Sequence, residues 1–255
     1  MQNKVFSVKN IAKSFGSEKE RNYIEVIRDI SMDIDEKEFI VILGNSGCGK
    51  STFLKILGGI DSATGGSMEL YGKDIGRQIP RDALKHFGFV FQSNNLLPWR
   101  TAEGNLRFNL NTMKLKGPEW EKRIDEMLDI VGLLDYKKVY PHELSGGMNQ
   151  RAGIAIAMLM NPAVLLADEP TSALDMAVQR QVVEEMLHVR ETFGTAIIIV
   201  THDIGVVSAM ADSIVVLSNG RVMEYAAAKD VLENPQNDYT VKLLSAVPRL
   251  RREKA

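Results

Sequence analysis

A glycine-rich run, GNSGCGKS, occupies residues 44–51, between the apolar stretch FIVIL and a helical stretch, STFLKILGG. Glycines let the backbone curl so that successive N–H groups point at phosphate oxygens, and a helix that begins there adds the positive end of its dipole. Lys50 supplies a point charge for the terminal phosphates, Ser51 a hydroxyl for Mg²⁺, and Thr52 a further phosphate contact. The pattern therefore predicts a phosphate site made by Gly44, Asn45, Ser46, Gly47, Cys48, Gly49, Lys50, Ser51 and Thr52.

Polar side chains also follow three other apolar, strand-like runs. Asp168 and Glu169 end AVLLADE, His202 ends IIIVTH, and Gln92 ends VFQ. Ligands of open α/β sheets bind beyond the carboxyl ends of the strands, so we expect these side chains beside the phosphate loop. Asp168 and Gln92 would then help Ser51 hold Mg²⁺, Glu169 would orient and polarise an attacking water, and His202 would reach the terminal phosphate. Taken alone, the carboxylate pair favours a functional role over a solvated strand end, and Gln92 is equally compatible with a plain polar strand end. His202 taken alone would more often be a core or capping histidine.

A second glycine-rich run, LSGGMNQR at residues 144–151, precedes the apolar helical stretch AGIAIAMLM. Ser145, Gly146 and Gly147 are suited to an anion held at a helix start. A domain that already has one phosphate loop needs no second one for the same ligand, so this run raises the question of which site it serves.

The composition of the chain argues against several classes of protein. The chain has 255 residues and a net charge of −2, which argues against a dedicated nucleic-acid binder, and only its end, RLRREKA, is locally basic. The single cysteine, Cys48, excludes an intramolecular disulfide and fits a reducing compartment. Because the chain shows no signal-peptide-like start and no apolar run of about 18 residues, we expect a cytoplasmic protein that reaches a membrane only through a partner.

Several strand-like runs are apolar almost throughout and alternate with helical patterns, which predicts an α/β fold with a mostly parallel sheet. The stretches from 4 to 15 and from 26 to 39 alternate apolar and polar residues, as antiparallel strands do. Residues 93–150 show helical spacing without a strand signal. We expect one domain over 1–255, with a core at 1–92 and 151–245, a helical insertion at 93–150 and a basic tail at 246–255.

With these motifs in order, the chain resembles the ATP-binding subunit of ABC transporters over nearly its whole length. It carries the Walker A motif at 44–51, the Q-loop glutamine Gln92, and the signature LSGGM at 144–148. The Walker B motif VLLADE, the D-loop SALD at 172–175 and the switch histidine His202 follow. The resemblance implies a RecA-like P-loop NTPase core with an N-terminal antiparallel β subdomain and an inserted α-helical subdomain. It also implies ATP and Mg²⁺ as ligands, with Phe15 stacking on adenine unless that ring is simply core.

In that family two ATPase subunits pair head to tail, and each ATP lies between the Walker A motif of one and the signature of the other. The resemblance therefore answers the question raised by the second glycine-rich run. Ser145, Gly146 and Gly147 would serve the partner subunit's ATP, and Asp175 of the D-loop would lie across the same seam. Met148 stands where the family more often has glutamine, while the residues that face phosphate are intact.

The kind of transporter stays open at this point. The ATPases of nitrate, sulfonate and taurine importers have a stretch similar to FQSNNLLPWRT. Those of peptide and nickel importers have stretches similar to DEPTSALDMAVQRQV and NPQNDYTVKLLSAVP. Lipoprotein-release and efflux types have a stretch similar to LLADEPTSALD. Import is preferred. The expected partners are a second copy of the ATPase subunit, integral membrane permease subunits and a periplasmic or lipid-anchored substrate-binding protein, and no nucleic acid is expected. The subunit would lie on the inner face of the membrane. Residues 93–120 would receive the permease through Leu97 and Trp99, unless Trp99 packs internally.

Two other functional assignments have less support from the sequence. A non-transport ABC ATPase of the DNA-repair type has long coiled coils within its cassette, and a ribosome-acting type has two cassettes, neither of which occurs in this sequence. A P-loop kinase or GTPase is disfavoured because the signature is present and the guanine-reading N-K-x-D motif is not.

Overall fold

The computed structural model of the chain describes residues 3–16, 22–93, 95–172, 174–203, 205, 207 and 210–246. The strands are β1 (Lys4–Phe15), β2 (Ile24–Asp35), β3 (Phe39–Leu43), β4 (Gly65–Leu70), β5 (Lys73–Gly76), β6 (Phe87–Val90), β7 (Val164–Asp168), β8 (Ala196–Val200), β9 (Ser213–Ser218) and β10 (Arg221–Ala227). The helices are α1 (Lys50–Leu57), α2 (Ala102–Thr112), α3 (Pro118–Ile130), α4 (Gly146–Ala157), α5 (Met176–Phe193), α6 (Ala228–Glu233) and α7 (Asp238–Ser245).

The larger sheet has the strand order β10-β9-β3-β8-β7-β6 and is parallel except for its edge strand β10. Strands β3, β7 and β8 are buried at every residue, because helices including α4 and α5 cover one face of the sheet while α1 and the smaller sheet cover the other. Their nearly unbroken apolar sequences, FIVIL, VLLAD and AIIIV, follow from that environment. The predicted α/β class with a mostly parallel sheet is thus confirmed, and β3, β6, β7 and β8 end at a common edge.

The smaller sheet is antiparallel, with the order β2-β1-β4-β5. Strands β1 and β2 correspond to the predicted N-terminal alternation. Strands β4 and β5 are not evident in the sequence, because they are short and carry glycines at Gly65, Gly66 and Gly76. Strand β4 forms by pairing with β1, whose residues lie more than 50 positions earlier in the chain, and β5 then pairs with β4.

The stretch between β6 and β7 is helical, as predicted, and its apolar positions Ile124, Leu128 and Val131 are buried. Helix α4 begins at Gly146, whereas the sequence pattern predicts a helix over 151–160. Ser145 caps the helix by accepting a hydrogen bond from the Met148 N–H at 3.2 Å, which offsets the poor helix propensity of the two glycines. The predicted subdomain boundary at residue 150 therefore falls inside a helix, and the division into subdomains stays a prediction.

Within the described ranges, no helix is both long and apolar enough to cross a bilayer. The predicted basic tail lies outside the described residues, apart from Ala246.

Helix α7 is fixed to strand β10 at its first turn. The Glu224 carboxylate accepts hydrogen bonds from the Gln236 N–H at 2.8 Å and the Asn237 N–H at 3.2 Å. Asn237 in turn caps the helix by accepting from the Tyr239 N–H at 2.9 Å. Burial raises the pKa of Glu224, but hydrogen-bond donors of this turn, led by the Gln236 N–H, outweigh it and bring the pKa below its ordinary value.

This anchor predicts a specific pH dependence. A carboxyl whose folded pKa lies below its unfolded value, about 4.3 for glutamate, stabilises the fold above that pH and loses its contribution as the pH falls through the folded pKa. We expect Glu224→Gln to lower the free energy of unfolding by an amount that is constant above about pH 5 and shrinks at lower pH. Denaturant titrations of both proteins between neutral and acid pH measure this difference, and a difference that grows on acidification would contradict the assignment.

Candidate active site

The phosphate loop leaves β3 at Leu43 and enters α1 at Lys50, as the sequence pattern predicts. Gly44 has a φ of +153°, and a Cβ at this position would lie 2.3 Å from the Leu217 carbonyl oxygen of the neighbouring strand β9. The loop therefore needs glycine where it crosses that strand. The Lys50 ammonium donates to the carbonyl oxygens of Gly44 and Asn45 at 2.8 and 2.9 Å, so it lies within the curl of the loop.

The carboxylate at the end of β7 meets the first turn of α1. The Ser51 hydroxyl donates to Asp168 Oδ1 at 2.9 Å, although the two residues are 117 positions apart in the sequence. Hydroxyl, carboxylate and amide oxygens suit Mg²⁺, which is commonly held by one or two carboxylates together with substrate phosphates. In the described part of the chain, no group of three His, Cys, Asp or Glu side chains could hold a metal without such phosphates. The donor set thus fits Mg²⁺ bound together with a nucleotide.

Glu169 follows β7 and contacts residues at the ends of β6 and β8. Its Oε2 accepts from Gln92 Nε2 at 3.3 Å, its Oε1 lies 3.8 Å from His202 Nδ1, and its N–H donates to the Val200 carbonyl at 2.9 Å. The Glu169 backbone has a φ of +45°, a conformation that non-glycine residues rarely adopt and that tends to occur at functional sites. The His202 side chain is 72% exposed, so it is not a core histidine.

These groups surround a common opening. One cleft, of about 360 Å³, is lined by Val26, Ser46, Gly47, Gly49, Lys50, Ser51, Thr52, Gln92 and Glu169. A second, of about 320 Å³, continues past Lys50 and Glu169 to Thr201 and His202. The strand ends thus place a cation, a candidate base and backbone N–H groups around one space, which is the arrangement that phosphoryl transfer needs.

Phe15 lies at the end of β1 and is 45% exposed, so it is not a core residue. The Lys13 ammonium lies 4.8 Å from the centre of its ring, and Lys13 is held by Asp61 at 2.6 Å. A cation under one face steadies the ring and leaves the other face open to a planar ligand.

The second glycine-rich run does not line the cleft around Lys50. Gly146 instead lines a separate depression with Gln92, Gln150 and Ser172. Ser145, Gly146 and Asp175 are all exposed, and Asp175 caps α5 by accepting from the Ala177 and Val178 N–H groups at 3.1 and 3.0 Å.

Gly147 has a packing function of its own. It is buried, and a Cβ at this position would lie 2.2 Å from the Val178 Cγ1 of α5. One glycine of the run therefore lets two helices approach closely, in addition to any contact with phosphate.

Sequence reasoning missed several residues of the site. Ser172 accepts from Gln92 Nε2 at 3.3 Å, Val26 lines the phosphate cleft, and Leu243 lines the cleft beside His202. Tyr239 contacts the phosphate loop itself. The tyrosine–threonine pair at 239–240 stands out in the sequence, but nothing there indicates what it touches.

Comparison with known proteins identifies the family. The family model described as ABC transporter matches residues 27–172, more than half of the chain. The chain belongs to the ABC transporter ATPase family. A methionine import ATP-binding protein of Corynebacterium glutamicum is 38% identical over 245 residues, covering 94% of this chain and 68% of that protein. Its counterpart in Corynebacterium diphtheriae is 38% identical over 238 residues, covering 92% and 69% of the two chains.

Solved structures of ABC ATPases have the same fold. A dimeric ATP-binding cassette in a post-hydrolysis state, bound to ADP and Pi, has a TM-score of 0.75 at 33% identity, and the match covers 88% of this chain and 98% of that one. CbiO1 of Clostridium perfringens, part of an ABC transporter complex, has a TM-score of 0.80 at 28% identity, covering 91% and 92%. This ABC ATPase therefore binds and hydrolyses ATP to drive transport, as the motifs predicted.

Proposed function

We propose that this ABC ATPase drives import through a separate membrane permease, with residues 44–52 holding the phosphates of ATP. Lys50 would neutralise the terminal phosphates, and the oxygens of Ser51, Gln92 and Asp168 would hold Mg²⁺, which shields the charge of the triphosphate. The proposal rests on the Ser51–Asp168 hydrogen bond, which joins the phosphate loop to the acidic strand end.

Glu169 is the proposed general base. It lies between Gln92 and His202, at the edge of both clefts that contain Lys50. From there its carboxylate would orient a water toward the terminal phosphate and accept its proton, while His202 would donate to the same phosphate. ATP binding would then close a dimer of ATPase subunits, and hydrolysis would open it. In the closed dimer, Ser145 and Gly146 of each subunit would face the partner's ATP.

The proposed permease contact is an apolar groove beside Gln92, of about 200 Å³. Its walls come from the end of β6, the following loop, α2 and α4, and include Phe89, Phe91, Leu96, Leu97, Asn105, Phe108 and Ile156. Trp99 lies nearby in the sequence and is 70% exposed, so it does not pack internally. An exposed aromatic on the loop that also supplies Leu96 and Leu97 to an apolar groove is suited to a protein–protein contact.

The groove is connected to the catalytic residues. Gln150 of α4 donates to the Phe91 carbonyl at 3.2 Å, and Phe91 immediately precedes Gln92, which contacts Glu169. A helix of the permease bound in the groove would therefore contact the segment that carries Gln92. This connection supports a transport motor over a non-transport ATPase.

Import is proposed because the similar proteins named above are methionine import ATPases, with 38% identity over more than nine-tenths of this chain. Their substrate is not one of those to which the local motifs pointed. Methionine is therefore the first substrate to test, with a substrate-binding protein outside the membrane and this subunit on its inner face.

We expect Trp99→Ala to weaken recovery of the permease by more than about tenfold, because a buried aromatic anchor of an interface carries much of its binding energy. The tagged chain is purified in detergent from its own membranes, and the complex is reconstituted into vesicles loaded with ATP. Uptake of labelled methionine should fall in parallel, while the isolated subunit keeps its basal ATPase rate. Tyr71→Ala removes another exposed aromatic, 55% exposed, from the turn between β4 and β5 of the antiparallel sheet, which contributes nothing to the groove, and it should change neither.

Recovery of no integral membrane protein by the unaltered chain would contradict the proposed transport function. A recovered permease that does not move methionine would contradict only the proposed substrate.

A further inference from the structure

The C-terminal helix α7 forms a wall of the nucleotide site. The N–H of Asn45, the second residue of the phosphate loop, donates to the Tyr239 hydroxyl oxygen at 3.2 Å, across 194 positions of sequence. One turn further along α7, Leu243 lines the cleft that also contains Lys50, Glu169 and His202. Two successive turns of this helix therefore border the space in which the triphosphate is proposed to lie.

Helix α7 is held in place by hydrogen bonds to β10 and by burial of its inner face, so it can support the phosphate loop. Glu224 of β10 binds the two N–H groups at its start, and Asn237 Nδ2 donates to the Met223 carbonyl at 3.1 Å. Thr240 and Leu244 are buried, and Tyr239 and Leu243 pack against the core beneath the larger sheet. The Tyr239 hydroxyl is consequently presented to the loop from a well-packed helix.

The hydrogen bond between Asn45 and Tyr239 lies where the phosphate loop begins to curl after β3. The Asn45 carbonyl accepts from the Lys50 ammonium at 2.9 Å, while the Asn45 N–H is held by Tyr239 at 3.2 Å. Both sides of this residue are thus fixed, one from inside the loop and one from α7. Because the loop binds phosphate through N–H groups that must converge, the orientation of its first residues affects all the later contacts.

We propose that Tyr239 is a positioning residue for the phosphate loop, so that α7 is part of the ATP-binding structure. The hydroxyl restricts the loop to the conformation that binds phosphate, and its removal lets the loop sample others before ATP binds. The inference rests on the proposed assignment of residues 44–52 to the phosphates of ATP. Tyr239 contacts the loop and not the reacting atoms, so it is expected to affect ATP affinity more than the rate of hydrolysis.

The test is Tyr239→Phe, compared with Tyr225→Phe as a matched control. Tyr225 lies on β10, and its hydroxyl donates to the Asp33 carbonyl of the antiparallel sheet at 3.0 Å. Each substitution removes one phenol hydroxyl and one hydrogen bond to the backbone, and each leaves the ring in place. We expect Tyr239→Phe to raise the Kd for a fluorescent ATP analogue and the KM for ATP by about three- to tenfold, with kcat within about twofold of the original. Tyr225→Phe should lower Tm to a similar extent and leave Kd and KM unchanged.

Unchanged or tighter ATP binding by Tyr239→Phe would overturn the inference, as would an equal loss of affinity in both variants. Lys50→Ala separates this outcome from failure of the phosphate-loop assignment. If Lys50→Ala binds the analogue as the original chain does, the assignment of residues 44–52 is wrong. If Lys50→Ala abolishes binding and Tyr239→Phe has no effect, only the proposal for Tyr239 is wrong.

Discussion

Replacing Glu169 with glutamine is expected to lower the rate of ATP hydrolysis by about 10²- to 10⁴-fold, the usual contribution of a general base. Glutamine has nearly the shape of glutamate, so its amide oxygen can still accept from Gln92 Nε2. The Ser51–Asp168 pair and the Lys50 ammonium are untouched, and ATP should bind with nearly the original Kd. The variant should therefore form an ATP-dependent dimer that persists. Release of phosphate in single-turnover experiments, equilibrium binding and size-exclusion chromatography with ATP measure the three effects.

Glu191→Gln is the matched control for this substitution. Glu191 lies near the end of α5 that leads to the start of β8, at the opposite end of the strands from Glu169. Among the described residues its exposed carboxylate pairs with Arg190 alone. Its loss should leave turnover unchanged. Rapid multiple turnover by Glu169→Gln would show that another group accepts the proton, and the positive φ at Glu169 would then need a structural explanation.

The positions of the catalytic candidates could be predicted because their strands are easy to find. Strands buried on both faces are apolar almost throughout, and FIVIL, VLLAD and AIIIV are such runs. Parallel strands end at a common edge, so the residues that follow them must lie near one another. The clefts that Lys50, Gln92, Glu169 and His202 line agree with this expectation.

Features that depend on distant pairing could not be predicted in this way. Strands β4 and β5 contain glycines, and they form because β1 offers an edge to β4 and β4 offers one to β5, which no local pattern reveals. Helix α4 starts five residues before the helix predicted at 151–160, because one serine cap compensates for two glycines. The contact between Asn45 and Tyr239 depends on the path of the whole chain, so the sequence around Tyr239 does not indicate what this side chain contacts.

Replacing Ser145 with arginine is expected to abolish ATP hydrolysis with little loss of ATP affinity in the isolated subunit. Ser145 is exposed and lies outside the lining of the cleft around Lys50, so a long cationic side chain there would block a partner subunit rather than the chain's own ATP. The substitution also removes the cap of α4, which costs about 1 kcal/mol of stability. Thr101→Arg controls for that loss, because Thr101 caps α2 through the Gly104 N–H at 3.2 Å and should leave hydrolysis intact.

Mixing Ser145→Arg with Glu169→Gln distinguishes a signature that serves the partner subunit from one that serves its own. Neither variant hydrolyses ATP alone. If each site combines the Walker motifs of one subunit with the signature of the other, a mixed dimer contains one site in which both halves are intact. Random pairing makes about half of the dimers mixed, so activity should recover to roughly a quarter of the original. If the signature served its own subunit, every site in the mixture would be defective, and no activity would return.

A chain that carries both substitutions, paired with the original chain, gives the opposite expectation, because each site of that dimer then has one defective half. In this second mixture the original homodimers alone supply roughly a quarter of the original activity if the signature acts on the partner's ATP, whereas active mixed dimers would raise the total to roughly a half. Recovery in the first mixture, with no more than about a quarter in the second, would show that LSGGM acts on the ATP held by the other subunit.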